Sequence, residues 1–210
     1  MSLSPVVMLF ARQPVEGEVK KRLAASVGDA EALRAHEVLV ENVLSRLQAL
    51  KRDDCLREIW IAGNPRAIAL RAWSHAWDAR LREQVGADLG AAMRHALHSH
   101  IRMGRRAVIV GSDVPPIDSH LVDSAFSGLR DHDVVLAPCE DGGYGLVGAS
   151  KPVPELFADI DWGQGEVMAQ TLRQAERFGY SVQLLDELWD VDDEADWRRF
   201  QRWQASAETG

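Results

Sequence analysis

The chain has 210 residues, and 24 Lys and Arg against 32 Asp and Glu give it a formal net charge of −8. This acidic balance argues against non-specific binding to nucleic acid or to anionic lipid, because both need positive charge on the protein. Cys55 and Cys139 lie far apart and show no metal-ligand spacing, which favours reduced thiols and a cytoplasmic protein. No window approaches the roughly 18 apolar residues of a membrane span, and the N-terminal apolar run lacks the pattern of a signal peptide.

The first half of the chain alternates between runs of strand length and segments with helical spacing. Residues 6–10 are a continuous apolar run, as expected for a central strand buried on both faces, and residues 30–50 form an amphipathic helix. A second strand over 59–62 and a helix over 66–77 follow, then a weak strand over 81–85. A further helix begins after Asp88, a favourable N-cap residue.

The second half continues the same alternation. Residues 107–110 give the strongest strand prediction, followed by a helix over 117–129, a strand over 133–137 and a possible strand over 146–148. A helix over 164–178, a strand over 182–185 and a last helix from about Asp193 complete the chain. The alternation predicts an α/β fold: one Rossmann-like domain over residues 1–210, with a mostly parallel central sheet and helices on both faces. Its ligand site is expected at the carboxyl ends of the strands.

The loop after the first predicted strand is basic in an acidic protein. Arg12, Lys20, Lys21 and Arg22 outnumber its two glutamates. Such cations suit a polyphosphate, since Arg forks onto phosphate oxygens and Lys supplies a mobile charge. A solvated basic stretch that opens a helix fits the spacing equally well. The loop is neither a Walker A motif nor GxGxxG, so a glycine cradle for phosphate is not supported.

Carboxylates follow two other predicted strands. Asp113 comes directly after the strand over 107–110, where it can reach a divalent ion bound to donor phosphates, although a turn or a helix N-cap explains it as well. In the stretch 190–196, alternation places Asp190 and Asp192 on one side, while Asp193 is positioned to cap the last helix. Asp113 and Asp192 are therefore candidates for one shared metal site.

The loop 138–145 contains two adjacent glycines. Gly142 and Gly143 would let the backbone approach a ligand closely, and Asp141 and Tyr144 could meet the hydroxyls of an acceptor or act as a base. A hairpin turn between two strands accounts for the same Asp-Gly-Gly sequence without a ligand.

These segments together resemble a known family. The residues that carry the resemblance lie in order from Phe10 to about Trp197, in the stretches 10–23, 86–93, 111–115, 140–144 and 190–196. They are similar to the bacterial transferase-1 family associated with radical-SAM and selenium-domain proteins, within the GT-A superfamily of nucleotide-diphospho-sugar transferases. The first and last of these stretches also resemble 2-phospholactate guanylyltransferase.

The resemblance implies a GT-A fold and a role for each matched residue. It makes Lys20 and Arg22 ligands of the donor phosphates, Asp113 and Asp192 ligands of Mg²⁺ (or Mn²⁺), and residues 141–144 part of the acceptor or sugar site. The full candidate set then comprises the catalytic residues Asp113 and Asp141, the metal ligands Asp113 and Asp192, and the donor or acceptor contacts Arg12, Lys20, Arg22, Asp88, Gly142, Gly143 and Tyr144.

The chain departs from the family pattern at two places. Lys21 replaces a usual threonine, and Ala91-Ala92 replace a usual Glu-Arg pair. The leading expectation is a magnesium-dependent glycosyltransferase that uses a nucleotide-diphospho-sugar and a small-molecule acceptor. The alternatives are a guanylyltransferase-like nucleotidyltransferase that releases pyrophosphate, and a catalytically silent nucleotide-binding protein.

Overall fold

A computed structural model describes residues 4–50 and 55–207, and the seven strands in these ranges form one sheet. The strands are β1 (Val6–Arg12), β2 (Leu56–Ala62), β3 (Arg80–Glu83), β4 (Ala107–Gly111), β5 (Val134–Pro138), β6 (Tyr144–Ala149) and β7 (Val182–Leu184). The α-helices are α1 (Lys21–Val27), α2 (Asp29–Leu47), α3 (Arg71–Trp77), α4 (Leu89–Ile101), α5 (Ser119–Gly128), α6 (Val167–Arg177) and α7 (Glu194–Ala207). Short 3₁₀ turns cover Ile68–Leu70 and Pro154–Phe157.

The strand order is β3-β2-β1-β4-β6-β5-β7. All neighbouring pairs are parallel except those made by β6, which runs antiparallel between β4 and β5. The expected α/β fold with a mostly parallel sheet is therefore confirmed. From β1 the chain moves outward to β2 and β3 and then returns to place β4 on the other side of β1. This reversal creates a crevice at the carboxyl ends of β1 and β4, where ligands bind in open α/β sheets.

Alternate residues of the central strand pack against opposite layers of helices. Val7 and Leu9 of β1 belong to the layer formed with α2, α3 and α5, whereas Met8 and Phe10 belong to the layer formed with α4 and α6. Residues 6–9 are fully buried, as the continuous apolar run predicts for a central strand. A third cluster joins α1, α2 and α7, so that the last described helix packs against the first two.

Two local features differ from the sequence expectations. A separate helix, α1, precedes α2, because Gly28 at φ +85° ends one helix and begins the other. The segment expected as one helix over 66–77 instead starts with a 3₁₀ turn and becomes α-helical at Arg71. In the part of the chain that the structure describes, none of the helices has the length and apolar character needed to cross a membrane.

Candidate active site

A cleft of about 950 Å³ opens at the carboxyl ends of β1 and β4. Its sides are the β1–α1 loop, the segment between β3 and α4, the turn after β4, the β5–β6 hairpin, the loop before α6 and the segment before α7. Of the candidate residues proposed from sequence, all but Gly142 line the cleft: Arg12, Lys20, Arg22, Asp88, Asp113, Asp141, Gly143, Tyr144 and Asp192. The fold thus brings together residues that are up to 180 positions apart in the chain.

Lys20 joins three segments at the floor of the cleft. Its Nζ donates hydrogen bonds to Oδ2 of Asp113 at 2.8 Å and to the carbonyl oxygen of Val191 at 2.5 Å. The backbone N–H of Val191 donates to the carbonyl oxygen of Asp113 at 2.9 Å. Lys20 has a left-handed backbone at φ 45°, and its side chain is only 7% exposed. The ammonium group is therefore fixed beside the strand end that carries Asp113.

This contact controls the charge of Asp113. Burial alone would raise the pKa of the Asp113 carboxyl, but the charge of Lys20 and its hydrogen bond outweigh that effect. The net result is a pKa below the ordinary value, so Asp113 is a carboxylate at neutral pH. Its side chain is 43% exposed, which leaves part of the carboxylate facing the cleft.

The cations at the end of β1 and the start of α1 are exposed to solvent. Arg22 forms an ion pair with Asp192, and both side chains are substantially exposed. Arg12 and Lys21 are also exposed and line the cleft. The carbonyl oxygen of Arg12 lies 3.0 Å from Nε2 of the buried His36, a residue of α2 that the sequence analysis did not single out.

Asp190 is a second residue that sequence reasoning left out of the candidate set. Carboxylate oxygens of Asp190 and Asp141 and the sulfur of Cys139 all lie within 4.8 Å of one another. Burial and the charges of Asp141 and Asp113 raise the pKa of Asp190 to about 7. The alternation of Asp190 with Asp192 is the sequence pattern that could have identified Asp190 as a site residue. Nothing in the sequence, however, shows that Asp190 lies near other carboxylates.

Cys139 is buried at the base of the same group. Burial, together with the charges of Asp190 and Asp141, raises the pKa of its thiol. The sulfur therefore stays protonated, and a protonated thiol is a poor metal ligand.

The loop with two glycines is a hairpin turn between β5 and β6. The N–H groups of Cys139 and Gly142 donate to the carbonyls of Gly143 and Cys139, and Oδ1 of Asp141 accepts from the N–H of Gly143 at 2.8 Å. Gly142 has φ +85°, and a Cβ atom there would lie 2.0 Å from the carbonyl oxygen of Gly165. Glycine is required at position 142 for close packing of the hairpin on the loop before α6, while Asp141 faces the cleft.

Tyr144 does not offer its hydroxyl to the cleft. The hydroxyl is buried beside Thr171 of α6, and burial raises its pKa. Hydrogen-bonding or base chemistry by this hydroxyl, as the sequence suggested, is therefore not supported by its position. The ring of Tyr144 contacts that of Trp162 edge to face, with ring centroids 6.4 Å apart.

Asp88 and Trp162 define the rim on the side of α4. Asp88 caps α4, as expected, by accepting a hydrogen bond from the N–H of Ala91 at 2.7 Å. The indole of Trp162 lies against Gly90, where a Cβ atom would come within 2.4 Å of the ring. Trp162 is thus held between α4 and Tyr144, a role that no sequence pattern indicates.

The cleft carries a donor set suited to a hard divalent cation. Asp113, Asp141, Asp190 and Asp192 all line it, and carboxylate oxygens are the ligands that Mg²⁺ and Mn²⁺ prefer. Lys20 and Arg22 each contact one of these carboxylates. The residues present therefore fit a metal bound together with phosphates.

Comparison with known proteins gives a family and a curated relative. A family model described as "Uncharacterized protein conserved in bacteria (DUF2064)" matches residues 44–164. The 3-phospho-D-glycerate guanylyltransferase of Phenylobacterium zucineum (strain HLK1) is 33% identical over 170 residues, which cover 80% of this chain and 75% of the relative.

Solved structures give the same fold. One described as a nucleotide-diphospho-sugar transferase from Desulfovibrio desulfuricans G20 superposes with a TM-score of 0.80 at 28% identity, covering 91% of this chain and 83% of the other. The 4-diphosphocytidyl-2C-methyl-D-erythritol synthase of Anaerococcus prevotii DSM 20548 superposes with a TM-score of 0.65 at 10% identity, covering 98% and 100%. The second match bears on the fold alone. Together the matches support the expected GT-A-like superfamily.

Proposed function

Because this chain belongs to the DUF2064 family and is similar over most of its length to a guanylyltransferase, we propose that it is a nucleotidyltransferase. In this reaction a nucleoside triphosphate gives its nucleoside monophosphate to a phosphorylated acceptor, and pyrophosphate leaves. The observation that carries the proposal is that basic residues and several carboxylates line one cleft, in a chain that is similar to a guanylyltransferase. The sequence analysis favoured glycosyl transfer and kept nucleotidyl transfer as an alternative, and we now prefer that alternative.

The donor is proposed to lie over β1, β2 and β3. These strands and their helices form one βαβαβ unit, the arrangement that binds a mononucleotide in doubly wound sheets. The triphosphate would then face the β1–α1 loop, where Arg12, Lys20 and Lys21 can neutralise its charge. The name of the relative makes GTP the first donor to test.

We propose Asp113 and Asp192 as ligands of Mg²⁺, and the proximity of Asp190 to Asp113 supports adding Asp190 as a third. When bound, the ion would offset negative charge on the donor phosphates. Lys20 keeps Asp113 ionised for this role, and Arg22 positions Asp192. Asp141, exposed at the tip of the hairpin, is proposed to orient the acceptor.

A nucleotide-sugar donor is the second candidate. It is supported by the description of the structure from Desulfovibrio desulfuricans and by the resemblance to the transferase-1 family, to which we propose that the chain also belongs. The two candidates differ in their leaving group, since glycosyl transfer releases a nucleoside diphosphate whereas nucleotidyl transfer releases pyrophosphate.

The first experiment measures donor binding by thermal shift and calorimetry, with GTP, CTP and GDP-mannose, each with and without Mg²⁺. A ligand at 100 times its Kd stabilises the native state by about 2.7 kcal/mol. We expect Mg²⁺-dependent stabilisation by a triphosphate that Lys20→Ala and Arg22→Ala each weaken. Stabilisation by GDP-mannose alone would overturn the proposal in favour of glycosyl transfer.

The second experiment separates the two sides of the cleft. Asp192→Asn is expected to weaken Mg²⁺-dependent donor binding, whereas Asp141→Asn should lower kcat and leave donor binding near wild type, because a group that acts on the acceptor is needed in the transition state. Equal loss of donor affinity in both variants would place Asp141 with the donor or the metal instead.

A further inference from the structure

We infer that the acceptor is a phosphate monoester whose remaining atoms carry no charge, such as a polyol phosphate. The inference rests on the proposed nucleotidyl transfer and narrows its substrate class. It differs from the acceptor in the name of the curated relative, since 3-phospho-D-glycerate carries a carboxylate besides its phosphate.

The reaction fixes the side from which the acceptor must approach. A non-bridging oxygen of the acceptor phosphate attacks the α-phosphorus of the donor and forms a new P–O bond. The bond between the α-phosphorus and the bridging oxygen breaks, and pyrophosphate leaves with the electron pair. Attacking and leaving oxygens lie roughly in line in phosphoryl transfer. If the β1–α1 loop holds the leaving pyrophosphate, the acceptor must lie on the opposite side, against the β5–β6 hairpin.

That side of the cleft, here called the acceptor wall, is formed by the β5–β6 hairpin and the loop before α6. Its lining residues include Asp141, Gly143, Tyr144, Trp162, Gln164 and Val167. None of these six is basic, and the only charge among them is the carboxylate of Asp141. The β1–α1 loop with the adjoining ends of β1 and α1, by contrast, lines the cleft with Arg12, Lys20, Lys21 and Arg22.

The electrostatic surroundings disfavour a second anionic group on the acceptor. Asp190 lies within a few ångströms of Asp141, and both carboxylates would repel an acceptor carboxylate. Arg199 is close to the hairpin, but it donates two hydrogen bonds to Glu140, at 2.6 and 2.9 Å. The reacting phosphate can face the metal and the cations of the opposite loop, whereas the rest of the acceptor faces this wall.

What the acceptor wall offers is uncharged. The indole of Trp162 is fixed against Gly90 and Tyr144 and provides a flat apolar face. Gln164 adds a neutral amide that can both donate and accept hydrogen bonds. An acceptor made of hydroxyl groups and C–H bonds matches these groups, whereas an ionised carboxylate finds no cation among them.

The test uses two acceptors that differ at one position. Glycerol 3-phosphate has a hydroxymethyl group where 3-phosphoglycerate has a carboxylate. With GTP and Mg²⁺, pyrophosphate release gives kcat/KM for each. We expect glycerol 3-phosphate to be preferred at least tenfold. Gln164→Lys, which adds a cation to the acceptor wall, should reduce that preference at least tenfold, whereas Gln201→Lys, on the exposed face of α7, should leave it unchanged.

A preference of the wild-type protein for 3-phosphoglycerate would overturn the inference and leave nucleotidyl transfer standing. If neither compound supports pyrophosphate release, calorimetry on the protein loaded with GTP and Mg²⁺ decides. Tighter binding of glycerol 3-phosphate supports the inference, and tighter binding of 3-phosphoglycerate, or binding of neither, overturns it. Failure of GTP to bind at all is a separate result, which overturns the proposed function and the inference with it.

Discussion

Asp190 is expected to destabilise the ligand-free protein above neutral pH. Its carboxyl lies within 4.8 Å of that of Asp141, and burial with the charges of Asp141 and Asp113 raises its pKa from the ordinary 3.8 to about 7. The folded state therefore holds a proton that the unfolded chain has already released. Stability falls as pH rises through the interval from about 4 to about 7, because the folded state binds more protons there. Asp190→Asn removes the charge at every pH.

The magnitude follows from the pKa difference. At about 1.36 kcal/mol per pKa unit, full expression of the shift would make the variant about 4 kcal/mol more stable than wild type at pH 8. Asp190 borders an open cleft, where solvent screens the repulsion, so we expect a gain of about 1–2 kcal/mol. At pH 3.5, below the ordinary pKa of 3.8, the carboxyl of Asp190 is mostly protonated in the unfolded chain as well as in the folded state, so the gain should shrink to about 0.2 kcal/mol.

Urea denaturation of wild type, Asp190→Asn and Asp192→Asn at pH 3.5 and pH 8 measures these differences. Asp192→Asn is the matched control, since it is the same chemical change two residues away. It removes the exposed ion pair with Arg22 and should lower the free energy of unfolding by at most about 1 kcal/mol. A gain from Asp190→Asn that is equal at both pH values, or no gain at pH 8, would refute the reasoning that repulsion among the three carboxylates raises this pKa.

Two further substitutions test the packing of the site, each against a neighbour of the same type. Lys20→Ala should lower the free energy of unfolding, measured in urea, by about 2–3 kcal/mol, because it leaves Asp113 beside other carboxylates without its cation. The control Lys21→Ala removes an exposed lysine and should change that free energy by less than about 0.5 kcal/mol. Equal effects of the two substitutions would mean that the Lys20 contacts contribute little to stability. Gly142→Ala should lower the free energy of unfolding, measured by thermal unfolding, by about 2–4 kcal/mol, because the strain of a positive φ adds to a clash with Gly165. The control Gly163→Ala, at a glycine with a similar φ and open space around it, should lower it by only about 1–2 kcal/mol. Equal losses of stability would show that the close approach of Gly142 to Gly165 does not matter.

The elements that could be predicted from sequence are those set by local patterns. The apolar runs at 6–10 and 107–110 became β1 and β4, since a strand buried on both faces needs no partner to be recognised. Asp88 and Asp193 cap the helices that follow them, because a cap depends only on residues within one turn. The hairpin at Asp141-Gly142-Gly143 was one of two interpretations that the sequence allowed.

What the sequence could not provide depends on contacts between distant segments. A hairpin at Asp141-Gly142-Gly143 implies the antiparallel pairing of β5 with β6, but no pattern in residues 144–149 indicates that β6 also pairs with β4. The pairing of Lys20 with Asp113 spans 93 positions. The facing of Asp190 toward Asp141, and of Trp162 onto Gly90, likewise follows only from the assembled fold. All of the predicted site residues except Gly142 line one cleft, and the experiments above test their chemical roles.

The ammonium group of Lys20 contacts an oxygen of a residue 171 positions further along the chain, the carbonyl of Val191. During synthesis on the ribosome, this contact cannot form until the segment that precedes α7 has emerged. Contacts between such distant residues close late in folding, after the local helices and hairpins have formed. A nascent chain that ends before residue 190 can therefore contain most of the sheet and still lack the floor of the cleft. The proposed capacity to bind a nucleotide should then be acquired only after the segment around Val191 has been synthesised.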